Sequence, residues 1–99
     1  MGPPEPCLCL QTGWCVYILR CADRSLYIGH TGGLEWRMLR HIDGRGCRYT
    51  AARLPVVLVY SEPAKDRFMA IVRERQLKGW TRAKKDALIA GDLRALKRL

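Results

Sequence analysis

The stretch Trp14–Thr31, WCVYILRCADRSLYIGHT, decides the fold. Val16 to Leu19 and Leu26 to Ile28 are runs of β-branched, aliphatic and aromatic residues on either side of ADRS, a polar segment that suits a hairpin turn. The length of that turn matters for more than the connection. A two-residue turn pairs Arg20 with Tyr27 and puts Tyr17 and Tyr27 on opposite faces, because side chains alternate along a strand. A three-residue turn over Ala22, Asp23 and Arg24 pairs Leu19 with Tyr27 and brings both tyrosines to one face. It also asks Arg24 to adopt left-handed backbone, which costs on the order of 1 kcal/mol for a non-glycine residue. The two rings are then either large amphipathic filler for a half-buried hairpin or hydroxyls placed for chemistry.

Working outward, Leu54 to Tyr60 (LPVVLVY) is a near-continuous apolar run and predicts a third strand buried on both faces, with Pro55 at its start. Three helical patterns surround these strands. Residues 34–42 place Leu34, Met38 and Ile42 on one arc with Leu39 beside them. Residues 67–78 follow Asp66 as N-cap and carry Phe68, Ile71 and Val72 as the apolar stripe. Residues 82–90 follow Thr81 as N-cap and end at Gly91, a natural C′ residue. A last turn repeats leucine at 93, 96 and 99 and is expected to dock on the core. The order β-β-α-β-α-α predicts an α+β domain over residues 14–99, with a small three-stranded, mainly antiparallel sheet flanked by helices.

With 99 residues the chain has room for one core, and its apolar fraction of 48% is enough to fold it. Eighteen Lys and Arg against nine Asp and Glu give a net charge of +9, which points to a polyanion partner. No long apolar run could enter a bilayer, so nucleic acid is preferred to membrane. Residues 1–13 read as a loose, proline-rich tail without the basic and apolar regions of a signal peptide. Five cysteines without disulfide spacing suggest a reducing, cytoplasmic setting, and the lack of a CxxC pair argues against structural zinc.

On the first helix Arg37 and His41 are i and i+4, at the edge of the apolar arc, with Trp36 and Arg40 further towards solvent. Glu74 lies among Arg73, Arg75 and Lys78. An i, i+4 ion pair with Lys78 is one reading of it, and a lone ligand for a divalent ion beside a phosphate is the other.

The ordered set Val16-Tyr17, Tyr27-Ile28-Gly29, Arg37-x-x-x-His41 and Glu74 resembles the GIY-YIG nuclease superfamily, above all its small stand-alone bacterial members. LYIGHT, the YT at 49–50, VYSE at 59–62 and ERQLKGWTRAKKDALIAGD at 74–92 carry the same resemblance, which spans roughly residues 14–97. It implies metal-dependent hydrolysis of phosphodiester bonds in DNA, with RNA as the other polymer and a role in structured or repair-related DNA. It further implies Tyr17 as general base, activated by positive charge from Arg37 and the metal, with Tyr27 and His41 orienting water and phosphate or relaying the proton. Arg37 would stabilise charge on the phosphate oxygens, and Glu74 would hold a single Mg²⁺ or Mn²⁺. Arg40, Lys65, Arg67, Lys78, Arg82, Lys84 and Lys85 are candidate phosphate contacts. Cys15 and Val16 stand where the family has Gly and Ile, Arg24 where the hairpin usually has Gly, and Trp36 where a basic residue is usual. None of these is a reacting group. The alternative is a module with the same fold that binds structured nucleic acid without cutting it.

Overall fold

Arg24 adopts φ 69°, and its amide donates to the Cys21 carbonyl across a three-residue turn. The computed structural model describes residues 13–98; the cysteines at 7 and 9 and the proposed tail up to residue 12 lie outside them. The hairpin strands are β1, Cys15–Arg20, and β2, Leu26–Thr31, in the register that pairs Leu19 with Tyr27 and Tyr17 with Gly29. Tyr17 and Tyr27 therefore share a face. Helices α1 (Leu34–Ile42) and α2 (Arg48–Ala51) follow, then strand β3 (Val57–Pro63) and helices α3 (Arg67–Lys78), α4 (Arg82–Ala90) and α5 (Leu93–Arg98). The sheet is antiparallel throughout, in the order β2-β1-β3. The short α2 stands outside the expected element order.

The strand buried on both faces is β1, with Cys15 to Leu19 at 0–1% exposure. The third strand is not buried in that way: it begins at Val57, and Val57 and Leu58 are exposed. The reason is sheet order. β3 is an edge strand, whereas β1 pairs on both sides and is covered above and below. One of its faces, Val16 and Ile18, joins Ile28, Ala64, Ala70 and Leu77 in the main core beneath α3. The other face carries Tyr17 and Leu19 beneath His41 of α1 and Thr50 of α2.

Both long helices over the site are rotated from the expected orientation. On α3 the inward positions are Ala70, Arg73, Glu74 and Leu77; of the expected stripe Ile71 is half-buried, while Phe68 and Val72 are exposed. On α1 the inward positions are Leu34, Arg37, Met38 and His41, and Leu39 and Ile42 face solvent. Polar contacts set this rotation. Arg73 Nε meets both oxygens of Glu62 on β3 at 3.1 Å, Glu74 meets His30 on β2, and His41 is bonded through both ring nitrogens. The capping residues follow the sequence: Asp66 accepts from Met69 N, Thr81 from Lys84 N, and Gly91 is left-handed at φ 70°. Helix α5 packs on α4 with no described residue buried, so the expected docking on the core is not found.

Candidate active site

Face alternation on β1 and β2 delivers Tyr17 and Tyr27 together, with ring centroids 6.3 Å apart. Gly29, opposite Tyr17, leaves the space that the ring occupies: a Cβ there would stand 2.5 Å from the phenolic oxygen. Above the rings, His41 is T-shaped to both, with centroids 5.7 Å from Tyr17 and 5.4 Å from Tyr27. Its Nε2 lies 3.0 Å from the Tyr17 hydroxyl and its Nδ1 2.9 Å from Thr50 Oγ1.

One proton arrangement satisfies the members of this chain: Thr50 donates its hydroxyl to the Cys47 carbonyl, 3.4 Å away, and accepts from His41 Nδ1 at 2.9 Å. Tyr17 keeps its proton, because burial, followed by the neighbouring Tyr27, pushes its phenol far above the ordinary value. Arg37 acts in the lowering direction, as expected from the sequence, but does not overcome burial. In that arrangement the neutral phenol donates to His41 Nε2, and the imidazole carries its own proton on Nδ1. Burial and the Arg37 charge hold His41 below its usual value and keep it neutral. Tyr27 is pushed up to about 12, first by burial and then by its hydrogen bond with Cys47. At Cys47 burial acts upward, but hydrogen bonds from Thr50, Tyr27 and the Tyr49 amide outweigh it and lower the thiol.

Glu74 belongs to the opposite layer. It rises from α3 at the outer edge of β2, where Oε1 meets His30 Nδ1 at 2.9 Å and Oε2 meets Lys78 Nζ at 3.2 Å. From there its charge acts on both site phenols. Of the two sequence readings of Glu74, the ion pair with Lys78 is present.

Among the described residues no three His, Cys, Asp or Glu side chains are grouped to hold a metal. A lone carboxylate completed by water and phosphate oxygens is nevertheless a donor set that suits Mg²⁺. Glu74 has spare lone pairs beyond its two contacts, and the half-exposed Lys78 can yield. These residues fit a single hard ion and do not fit zinc.

Two clefts border the cluster. One, of about 280 Å³, is lined by Tyr27, Tyr49, Lys78 and Lys85 among others. The other, of about 310 Å³, includes Arg37 and Arg40. The remaining candidate cations sit elsewhere. Lys65 lines a cleft with Met69 and Arg73, Arg67 lies over Trp14, and Lys84 lies 4.3 Å from the centroid of the Trp80 ring. Arg82 pairs with Asp86 and donates to the Arg24 carbonyl beside a cleft of about 710 Å³ at the hairpin tip.

Sequence reading gave no role to His30, Thr50, Cys47 or Tyr49. His30 was findable, because it alternates with Tyr27 and so faces α3 and Glu74. The YT at 49–50 was marked by the family resemblance, but its role was not legible, since only the return of α2 over the sheet brings Thr50 to His41. Tyr49 stacks on Tyr27 with centroids 6.1 Å apart and is itself capped by Arg53 at 3.8 Å.

The profile of the GIY-YIG catalytic domain matches residues 13–86. The chain belongs to the GIY-YIG family. It is 47% identical over 73 residues to a UPF0213 protein of Bacillus pumilus, covering 74% of each chain. A UPF0213 protein of Natronomonas pharaonis is 43% identical over 77 residues, or 78% of this chain and 91% of that one. The solution NMR structure of a UPF0213 protein from Bacillus halodurans superposes with a TM-score of 0.53 at 34% identity, covering 80% of this chain and 84% of the other. This is the small GIY-YIG group that the sequence resembles, and the fold is of nuclease type.

Proposed function

We propose that this protein is a divalent-metal-dependent endonuclease that hydrolyses phosphodiester bonds in DNA. The observation that carries this reading is the buried hydrogen bond between Tyr17 and His41, 3.0 Å long, within reach of the Arg37 charge. A phenol held so far above its usual value is a poor base by itself. Coupled to His41 it becomes a relay: the Tyr17 oxygen takes a proton from the attacking water as its own proton passes to Nε2. His41 becomes imidazolium, and its Nδ1–H remains on Thr50.

Arg37 stabilises the charge that builds on the phosphate oxygens, where a guanidinium can offer two parallel donors. Tyr27, half-buried at the rim, orients the water or phosphate through its hydroxyl. Lys78 and Lys85 on one side and Arg40 on the other supply phosphate contacts along the strand. A single Mg²⁺ or Mn²⁺ on Glu74 would supply Lewis acidity at the leaving oxygen.

The test is incubation with single-stranded, duplex and branched DNA, with and without Mg²⁺ or Mn²⁺. Wild type is expected to cut only with metal. Tyr17→Phe and Glu74→Ala are expected to lose at least about a hundredfold in rate, the low end for losing a general acid–base group. Glu74→Ala should retain or improve binding, because a negative charge leaves a phosphate site. Binding without cleavage in any metal would leave the chain a nucleic-acid-binding module. Equal cutting by Tyr17→Phe would remove the relay.

A further inference from the structure

Helix α1 turns Arg37 and His41 inward, and that rotation leaves Trp36 outside at 76% exposure. Its indole is one wall of the cleft of about 310 Å³ completed by Thr31, Gly33, Arg37, Arg40 and Gly46. Three features specify an occupant. The volume is at the low end of small-ligand pockets, about 300–1,000 Å³, so it suits one flat group rather than a duplex. The lining holds two arginines and no acid, which favours a ligand carrying negative charge. The cleft also adjoins the reacting groups: Arg37 belongs to both, and Gly46 packs directly on the His41 ring, where any Cβ would collide with Nδ1.

We propose that this cleft receives an unpaired nucleobase of the bound strand, stacked on Trp36, with its flanking phosphates on Arg37 and Arg40. The proposal rests on the nucleic-acid reading above and narrows it. A phosphate held by Arg37 at the tyrosines puts the adjoining nucleotide beside Trp36. A base in a duplex would have to leave its stack to enter, so the pocket selects single strands, overhangs or flaps over blunt duplex. The aromatic face accepts any base, which makes the preference one of structure rather than of sequence.

The test measures binding of the full chain by fluorescence anisotropy at fixed salt without metal, using a labelled single strand, a duplex with an overhang and a blunt duplex. Each is prepared as DNA and as RNA. Trp36→Ala is expected to weaken single-strand and overhang binding by about five- to a hundredfold, the range for losing one base–aromatic stack. Blunt-duplex affinity should stay within about twofold, and Trp36→Phe should restore most of the loss by keeping an aromatic face. The polymer with the larger loss identifies the natural strand, and either result supports the pocket. An equal loss on all forms, no loss, or a change in sedimentation showing that Trp36 instead joins two copies would overturn it. Binding needs no cleavage, so the two readings fail separately. A protein that never cuts but shows the selective loss keeps the pocket, and one that cuts without it keeps only the nuclease.

Discussion

Thr50 shows how much one hydroxyl can decide. It touches no substrate in the proposed reaction, yet in the arrangement above it sets which nitrogen of His41 carries the proton. Thr50→Val keeps the shape and removes the acceptor, leaving a buried N–H unsatisfied at a cost of about 1–3 kcal/mol. Thermal unfolding should register this as a drop of roughly 4–8 °C per kcal/mol in a domain of this size. Turnover should fall with little change in KM, since His41 gains access to the tautomer that cannot accept from Tyr17. Thr50→Ser should restore both. The same residue predicts the pH response. His41 is held below its ordinary 6.5, so as pH falls through that value the unfolded chain binds a proton that the folded one resists. Its contribution to stability is full above about 6.5 and drains as pH falls towards the lower folded value. Cleavage should decline in the same direction, because an imidazolium has no lone pair for the Tyr17 proton. An acid limb retained in His41→Gln would assign the decline to another group.

At the scale of elements, α1 and α3 each give up part of their apolar stripe. Each turns a polar set inward and leaves large apolar side chains in water: Trp36, Leu39 and Ile42 on one, Phe68 and Val72 on the other. Local rules that fail in this way are expected where function competes with stability. The packing makes a quantitative contrast on α3. Leu77 is fully buried in the main core, so Leu77→Ala should cost about 2–5 kcal/mol in denaturant unfolding. Phe68 is 70% exposed, and Phe68→Ser should stay within about 0.5 kcal/mol. The stripe read from the sequence gives Phe68 the large loss, so the two substitutions separate the two orientations.

For the whole molecule, the +9 charge is spread widely, but four cations line the clefts beside the tyrosines: Arg37, Arg40, Lys78 and Lys85. If these are the phosphate contacts, the log–log salt slope of duplex binding should be about −3.6, from about 0.9 per neutralised phosphate. Lys85→Ala should reduce it by about one, whereas Lys84→Ala, whose ammonium lies over Trp80, should leave it unchanged. A flat salt dependence would remove nucleic acid as the partner and the proposed nuclease with it.

Much of this was legible in the residues because it depends on local rules. Alternation along β1 and β2, with the left-handed Arg24, places both tyrosines on one face once the turn has three residues. Asp66, Thr81 and Gly91 bound their helices because capping is settled within one turn of chain. The ordered tyrosines, arginine, histidine and glutamate identify the family. Tertiary structure decided what depends on distant neighbours. Of two apolar runs, VVLV reads as the strand buried on both faces and CVYIL as part of a half-buried hairpin, and only the order β2-β1-β3 makes CVYIL central and VVLV an edge. Helix rotation was hidden for the same reason: a periodic pattern gives hydrophobic contrast, whereas Glu62 and His30 on the sheet and Thr50 on α2, which hold Arg73, Glu74 and His41 inward, are supplied by other segments. The Tyr17–His41–Thr50 chain joins residues 24 and then 9 positions apart, and the burial that keeps the Tyr17 proton in place exists only after the layers close.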